Sequence, residues 1–323
     1  MAVKVAIIDG NARDGEKAAA NTQLKAIARA LRALRFTPLP LRVSPTLADD
    51  LRREEPIAAF VASDDRMRGI DIRALLDLLD VAYVGPDAYA AKRALDKRWV
   101  VRTLADAAVE FGYDYKVPRT VHVPSMCARE TGTPTAVEVV KRAFSDEYPL
   151  EVISEAEAAT WSPCVARNAN ELRECLAGAA NLSEGVMVRP LTEGLAMSVF
   201  VYEDAEQGYG TLGPLETTRC EDGTVDYAAL DLTKLGEDPR ASEPIRSEIE
   251  RAAIDCYCEC GLSGIARIDL VWDGGVSVFV GLDPLPAFDG ESPLAAACKI
   301  SRTTLQEIVS SLVQFAEAEG LSR

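Results

Sequence analysis

The sequence contains a single histidine and no long apolar run. Only His122 could enter a histidine triad or a histidine-rich metal site, so neither class of site is expected. No stretch approaches the roughly 20 apolar residues of a membrane-spanning helix, so we expect no membrane association of that kind. The opening M-A-V-K-V-A-I-I-D-G becomes polar too early for a signal peptide and predicts a buried strand, which favours a cytoplasmic location.

Basic residues are also scarce. The chain has 35 Lys and Arg against 51 Asp and Glu, a formal net charge of −16. Binding to a nucleic-acid backbone needs clustered positive charge. Nucleic acid is therefore not an expected partner, and the acidic surface is interpreted as a solvated one.

Eight cysteines without an export signal predict reduced thiols. Three of them form the cluster Cys256-Tyr-Cys258-Glu-Cys260, but zinc sites usually have two separated pairs and no second pair is present. The cluster ends a helical pattern that starts near Ser242 and places Cys256 and Cys260 on one face. We predict that these two thiols pack in a core.

Alternating strand and helix patterns in the first third of the chain predict a parallel sheet with crossover helices. The strand patterns are V-K-V-A-I-I, A-A-F-V-A-S and V-A-Y-V-G, with helices predicted at 16–34 and 72–79, and one long helix at 88–109. Further strands are predicted at 120–123, 150–153 (an edge strand), 186–189 and 197–202, and helices at 136–144, 168–180 and 303–319. A loop-rich stretch is expected up to Glu243.

Gly208-Tyr-Gly210-Thr-Leu-Gly213 matches the dinucleotide fingerprint G-x-G-x-x-G. That fingerprint binds a pyrophosphate only where it follows a strand and opens a helix. Pro214 and the strand-like T-T-R-C follow here, so we interpret the match as coincidental.

Two strand patterns around a D-G-G turn, Arg267 to Pro286, carry the best candidate site. The carboxylates of Asp269 and Asp283 beside the guanidinium of Arg267 are groups that bind Mg²⁺ and phosphate. Hairpins with nearby acids are common, so a plain hairpin remains the alternative. Gly281 stands where a second strand-borne carboxylate is wanted.

Several stretches together resemble the D-alanine–D-alanine ligases of the ATP-grasp superfamily. The segment 75–97, L-L-D-L-L-D-V-A-Y-V-G-P-D-A-Y-A-A-K-R-A-L-D-K, is similar to that family's L-L-E-L-L-G-I-P-Y-T-G-S…A-M-D-K. C-G-L-S-G-I-A-R-I-D-L-V-W resembles its G-C-R-G-x-A-R-x-D-F, and V-F-V-G-L-D-P-L-P-A-F resembles its E-x-N-T-L-P-G-M. The resemblance implies an α/β and α+β ATP-grasp fold with an N-terminal Rossmann-like parallel-sheet domain (1–96), a central lobe (97–184) and a C-terminal lobe (185–323).

The resemblance also implies an activity, the ATP- and Mg²⁺-dependent joining of two D-alanines through an acyl phosphate. Its site residues fall on Lys97 (phosphate-binding lysine), Arg267 (oxyanion arginine), Asp269 (metal carboxylate), Asp283 (in place of a metal-binding Asn), Ser292 (substrate carboxylate) and Asp14 or Glu16 (substrate amine).

Other family positions have lost the expected group. The bridging metal glutamate falls on Gly281, the V-K-P lysine on Ile153, the ribose-binding glutamate on Ala196 and the Y-E-A-K-Y lysine on Leu230; the adenine hinge reads V-R-P around Arg189, and Trp161 stands in the phosphate-covering loop. A bridging carboxylate lost from a two-metal site removes most of the metal binding.

The sequence is therefore compatible with two functions. The first is a degenerate ligase homologue without ligase activity that acts in binding, regulation or scaffolding, as a homodimer or with a partner protein, and needs no cofactor. The alternative is an active carboxylate–amine ligase that uses ATP and Mg²⁺ on a small amino acid or dipeptide. The sequence leaves open whether Asp289 or Glu291 folds back to replace the carboxylate missing at Gly281.

Overall fold

The computed structural model describes residues 3–11, 21–124, 133–145, 147–155, 163–179, 185–205, 208–220, 225–235 and 239–320. No helix in these ranges is long and apolar enough to cross a membrane. The strands are β1 (Lys4–Asp9), β2 (Thr37–Arg42), β3 (Ala58–Ala62), β4 (Tyr115–Lys116), β5 (Val121–Val123), β6 (Leu150–Ser154), β7 (Cys164–Ala166), β8 (Val186–Pro190), β9 (Leu195–Asp204), β10 (Gly208–Arg219), β11 (Val225–Ala229), β12 (Ile265–Trp272) and β13 (Ser277–Asp283). The helices are α1 (Thr22–Ala33), α2 (Leu47–Glu54), α3 (Arg66–Leu78), α4 (Ala88–Leu95), α5 (Lys97–Phe111), α6 (Thr133–Phe144), α7 (Ala169–Gly178), α8 (Pro239–Glu259), α9 (Pro293–Ile300) and α10 (Leu305–Gly320).

The N-terminal sheet is parallel with strand order β2-β1-β3, which confirms the predicted arrangement. Side chains alternate across β1, so Val5 and Ile7 face α1 and α10, whereas Ala6 and Ile8 face α2 and α3. Helices cover both faces of this sheet and bury most of β1 and β3, whereas the edge strand β2 stays partly exposed.

The strand β2 was not predicted from the sequence. β2 contains Pro38 and Pro40, which lower its apparent strand propensity, but β2 lies at the sheet edge, where a missing N–H is tolerated. The stretch predicted as the third strand, V-A-Y-V-G, contributes only an isolated bridge between Tyr83 and Ala59.

The long helix predicted at 88–109 is two helices, α4 and α5. Asp96 separates them, and its carboxylate accepts hydrogen bonds from the backbone N–H groups of Arg98 and Trp99 at 3.0 and 3.1 Å. An aspartate in this role starts a new helix, so the break follows from capping chemistry that the helical periodicity concealed.

The largest sheet has the order β11-β10-β9-β12-β13-β4. The stretch expected to be loop-rich supplies the 12-residue strand β10 and the strand β11. The G-x-G-x-x-G match lies inside β10 and not at a helix start, as its interpretation as coincidence requires.

A four-stranded sheet of order β5-β8-β6-β7 forms the third layer, covered by α6 and α7. β6, predicted as an edge strand, lies between β8 and β7. The three-domain division stays a prediction. Because β8 pairs with β5 and β6, a boundary after Pro190 would keep the four-stranded sheet in one domain, whereas a boundary after residue 184 would divide it.

Two findings concern the cysteines. Cys256, in α8, and Cys260, directly after the last residue of α8, are both fully buried, as the helical pattern predicts. Cys164 and Cys175 are joined by a disulfide that links β7 to α7, so the expectation that all eight thiols are reduced is wrong. Cys220, Cys256, Cys258, Cys260 and Cys298 are free.

Candidate functional site

A cleft of about 630 Å³ lies between the four-stranded and the six-stranded sheet. The N-terminal turn of α5 and the strands β6 and β8 contribute one wall, and β9, β11, β12 and β13 contribute the other. Its volume is in the range of small-molecule sites. The cleft is therefore the candidate functional site.

Strand alternation explains which residues reach this cleft. Along β12, Arg267 and Asp269 face the cleft, while Ala266, Ile268 and Leu270 face the core beneath the sheet. The same period of two in β9 turns Ala196 and Ser198 to the cleft, between core-facing neighbours. A sheet with one buried and one polar face thus places a polar row at the cleft floor.

Asp269 lies at the centre of that row. It pairs across the sheet with Ser198 on one side and Gly281 on the other. Ser198 Oγ donates a hydrogen bond to Asp269 Oδ1 at 2.6 Å, and Arg267 Nη2 donates to Oδ2 at 3.3 Å. Arg267 Nε also lies 3.0 Å from Oδ1, so the carboxylate forms an ion pair with its own strand neighbour.

Arg267 is held by acids and by a phenol. Its Nη1 donates to Tyr227 Oη at 3.3 Å. Burial acts to lower the pKa of Arg267, but the carboxylates of Asp269 and Asp283 outweigh it and raise the pKa above its ordinary value. Burial also raises the pKa of Tyr227. The guanidinium is thus permanently charged at the place where the metal was predicted.

Asp283 also makes a contact outside this row. It pairs with Arg267 in the β12–β13 ladder, yet its Oδ1 lies 3.0 Å from Nη1 of Arg66, the first residue of α3, and accepts from Leu285 N–H at 3.1 Å. The side chain is nearly buried. Asp283 therefore connects the six-stranded sheet to the N-terminal helix layer.

These contacts do not fit a Mg²⁺ site. Mg²⁺ in proteins is usually octahedral and is held by one or two carboxylates together with water and substrate phosphates, so it needs at least one carboxylate that is free to coordinate it. Asp269 and Asp283 each face a guanidinium, and Gly281 offers no side chain. Asp289, whose Oδ1 accepts from Glu291 N–H at 3.0 Å, and Glu291 are both absent from the cleft lining. Over the ranges that the structure describes, no group of three potential metal ligands occurs.

Two basic residues of the cleft connect separate structural elements. Lys97 Nζ donates to the Ser154 carbonyl at 3.0 Å. Arg189, almost fully buried in β8, binds Glu151 Oε2 through Nε and Nη2 at 2.8 Å each and donates from Nη1 to the Val280 carbonyl at 2.9 Å. Arg189 therefore ties the four-stranded sheet to β13 of the six-stranded sheet.

The lining combines apolar surface with net positive charge. Ile153 and Ala196, at two positions where the resemblance implies nucleotide-binding groups, present only hydrocarbon to the cleft. Among described residues the lining has four basic side chains and two acidic ones: Lys97, Arg189, Arg219 and Arg267 against Glu151 and Asp269. In a chain of formal charge −16, this excess favours an anionic ligand.

The predicted site residues are only partly brought together. Lys97, Arg267 and Asp269 line the cleft, whereas Asp283 and Ser292 do not. Ser292 caps α9, where its Oγ accepts from Ala295 N–H at 3.3 Å and donates to the Asp289 carbonyl at 2.8 Å. Asp14, Glu16 and Trp161 lie outside the described residues.

Sequence reasoning missed three of the contacts that shape the site. Ser198 as the partner of Asp269 depends on register between distant strands, and Arg66 as the partner of Asp283 depends on domain docking. The contacts of Arg189 could have been anticipated from the sequence, because an arginine inside the buried strand pattern V-M-V-R-P needs an acidic or carbonyl partner.

Comparison with known proteins matches residues 133–314, more than half of the chain, to the family described as D-ala D-ala ligase C-terminus. A D-alanine–D-alanine ligase of Chlorobium chlorochromatii is 24% identical over 255 residues, covering 78% of this chain and 67% of that protein. That of Pelotomaculum thermopropionicum is 20% identical over 322 residues, covering 98% and 97%.

Solved structures show the same architecture. The D-alanine–D-alanine ligase from Bacillus anthracis complexed with ATP has a TM-score of 0.71 at 14% identity, covering 100% of this chain and 99% of that one. The VanG D-Ala:D-Ser ligase from Enterococcus faecalis has a TM-score of 0.70 at 16% identity, covering 98% and 100%. These likenesses confirm the predicted ATP-grasp fold, and with the family match they establish that the chain belongs to the D-ala D-ala ligase family.

Proposed function

We propose that this protein is a D-alanine–D-alanine ligase homologue that does not catalyse Mg-ATP-dependent ligation and acts through binding. The observation that carries the proposal is the row Ser198–Asp269–Gly281. It holds one carboxylate, already bound by Ser198 and Arg267, and a glycine where a bridging carboxylate is needed.

Metal binding at this row is opposed by charge. A cation that approached Asp269 would have to displace the guanidinium of Arg267 from a partly buried ion pair. Separating a partly buried ion pair costs free energy, which opposes binding of a cation at Asp269. Mg²⁺ also gives up its water reluctantly, and a single carboxylate repays little of that cost.

The cleft itself remains suitable for a ligand. Its positive lining and apolar wall favour a small anion with a hydrophobic part, bound without metal. Arg189 supports this role because its contacts to Glu151 and Val280 hold the two walls at a fixed separation. Binding without chemistry suits a regulatory or scaffolding protein in the cytoplasm.

The test is an assay of ADP and phosphate release with ATP, Mg²⁺ and D-alanine, run beside thermal unfolding with ATP in the presence of Mg²⁺ or EDTA. We expect no release above the rate of buffer blanks. We also expect no Mg²⁺-dependent rise in the unfolding temperature, because a ligand stabilises only the state that binds it.

The active ligase is the second candidate, and one observation favours it: Lys97 and Arg267, two cations that the resemblance assigns to phosphoryl transfer, line the same cleft. D-alanine-dependent ADP release that is lost in Lys97→Ala would establish this alternative and reject the proposal. Release that persists in Lys97→Ala would be attributed to a contaminating ATPase.

A homodimer through the N-terminal domain is part of the same proposal. Met67 and Leu78, at the two ends of α3, are 52% and 85% exposed, so both side chains are available to a partner surface. Light scattering coupled to size exclusion should give twice the 34.8 kDa chain mass. Leu78→Glu should shift the protein to monomer, whereas a wild-type monomer at all concentrations would reject this part.

A further inference from the structure

A second cavity, of about 40 Å³, lies between α3 and the segment that follows β13. Its polar lining comes from Gln23, Ser63, Arg66 and Arg73, and the remaining wall is largely apolar, with Val61, Val84, Ile265, Leu285 and Phe288. It is separate from the cleft, with no lining residue in common.

Arg73 is the unusual member of this lining. It is 6% exposed, and its Nη1 donates to the Gly69 carbonyl one turn earlier in α3 at 3.2 Å. In the described part of the chain its Nε has no hydrogen-bond partner, and the residue forms no ion pair. A buried guanidinium without a counter-charge is strongly disfavoured.

The neighbouring acid relieves this charge only in part. Asp77, four residues later on the same helix, accepts a hydrogen bond from Tyr83 Oη at 2.6 Å, and its charge offsets only part of the effect of burial on Arg73. Burial lowers the pKa of Arg73 to about 10, against the opposing effects of Tyr83 and Asp77. Arg73 therefore stays charged at neutral pH.

The other polar groups of the cavity are already engaged. Arg66 Nη1 lies 3.0 Å from Asp283 Oδ1, Ser63 Oγ donates to the Asp65 carbonyl at 2.8 Å, and Gln23 Nε2 donates to Asp64 Oδ1 at 2.8 Å. Among the positive charges of this lining, that of Arg73 is thus the one without an ion pair in the described part of the chain. Gly69 and Gly85 pack against the guanidinium, and a Cβ atom built on either would lie 3.4 Å from Nη1 or 3.3 Å from Nη2 of Arg73.

The size of the cavity limits what it can hold. One water-sized ligand needs roughly 10–15 Å³ measured in this way, so about 40 Å³ accommodates one small ion with a water molecule. Nucleotides and amino acids need several hundred Å³ and are excluded. The chemistry that fits is a monovalent, weakly hydrated anion, since the apolar wall offers few groups to replace a hydration shell.

We propose that this cavity is a structural anion site in which a halide ion, chloride under physiological conditions, neutralises Arg73 and stabilises the docking of α3 against the segment after β13. The ion would act beside the Arg66–Asp283 ion pair, which crosses the same contact. The site is independent of the ligand proposed for the cleft.

Bromide is the probe. Crystals of the full chain grown or soaked in sodium bromide should give an anomalous peak inside the cavity, next to the Arg73 guanidinium. In solution, the unfolding temperature at constant ionic strength should be higher in chloride or bromide than in gluconate, which is too large to enter, by about 2 °C or more.

Arg73→Gln should abolish both the peak and the difference between anions, and the surface variant Arg29→Gln, which removes one positive charge from the exposed side of α1, should retain both. Equal unfolding temperatures in chloride and gluconate for the wild type would overturn the proposal. So would a bromide map with peaks only at the surface, a result that is independent of whether Arg73→Gln folds.

Discussion

Asp269 and Gly281 lie directly opposite each other in the β12–β13 ladder, and a Cβ atom built on Gly281 would be 3.1 Å from Asp269 Oδ2. The missing carboxylate therefore belongs to a position that points at the remaining one. Gly281 does not have a positive φ angle, so its backbone accepts a side chain without conformational strain.

Gly281→Glu should create a metal-binding site that the wild type lacks. Without metal, the added carboxylate beside Asp269 should lower the free energy of unfolding by about 1–2 kcal/mol through like-charge repulsion and the close Cβ contact. With millimolar Mn²⁺ or Mg²⁺, the variant should recover this loss, because two carboxylates then share a cation. Thermal unfolding with and without metal measures both effects.

Gly281→Gln is the matched control. It has the same shape but no charge, so it should show the steric part of the destabilisation and no metal-dependent recovery. If the stability of Gly281→Glu also does not change with metal, the guanidinium of Arg267 binds Asp269 too tightly to be displaced. The glycine at position 281 would then not be the sole reason why the wild type binds no metal.

Arg189 and Glu151 should show strong energetic coupling. Arg189→Gln leaves the partly buried Glu151 carboxylate without its partner and also removes the bond to the Val280 carbonyl, so we expect a loss of roughly 2–4 kcal/mol in the free energy of unfolding. Glu151→Gln combined with Arg189→Gln should be less destabilised than the sum of the single variants. Urea unfolding of the four proteins gives the coupling energy; additive losses would contradict a shared ion pair.

The sequence was most informative where a residue pattern was typical of a single kind of secondary structure. The hydrophobic strand pattern R-I-D-L-V-W predicted β12 and identified Arg267 and Asp269 as candidate site residues, and both line the cleft. Patterns failed where local chemistry overrode them. The prolines in β2 concealed an edge strand, and Asp96 divided a continuous helical period by capping α5.

The candidate site was predictable in its residues but not in their partners. The resemblance located Lys97, Asp269 and Asp283 along the chain, yet it could not show that Asp283 turns to Arg66 while Asp269 turns to Ser198. Such contacts depend on strand register and on docking between sheets. A sequence pattern reports which groups are available, whereas tertiary packing decides which of them remain free for a ligand.

Cys256 and Cys258, in α8, and Cys260, directly after it, should differ sharply in reactivity towards alkylating reagents. Burial raises the pKa of the Cys256 thiol well above its ordinary value and that of Cys260 to about 12, and neither side chain is accessible. Cys258 lies on the exposed face of the same helix. Alkylation of the native protein followed by mass spectrometry should therefore modify Cys258 and leave its two neighbours unmodified. Comparable labelling of all three would mean that α8 opens in the native state.

Glu203, in β9, predicts a pH dependence of stability that arises outside the cleft. The side chain is 7% exposed and accepts a hydrogen bond from Gly264 N–H at 2.6 Å. Burial raises its pKa to about 7, in spite of that bond. Since the folded protein holds the proton more tightly than the unfolded chain, this group stabilises the fold fully below the unfolded pKa and loses that contribution as the pH rises through about 7.

Glu203→Gln should remove this dependence, because the amide oxygen still accepts from Gly264 and carries no charge at any pH. Relative to the wild type, the variant should be nearly neutral at pH 4.5 and more stable by up to about 3 kcal/mol at pH 8. Urea unfolding between pH 4.5 and 8 measures the difference, with Glu248→Gln on the exposed face of α8 as the control for removing one negative charge. Parallel pH profiles for Glu203→Gln and the wild type would show that folding does not shift the pKa of Glu203 and would contradict this prediction.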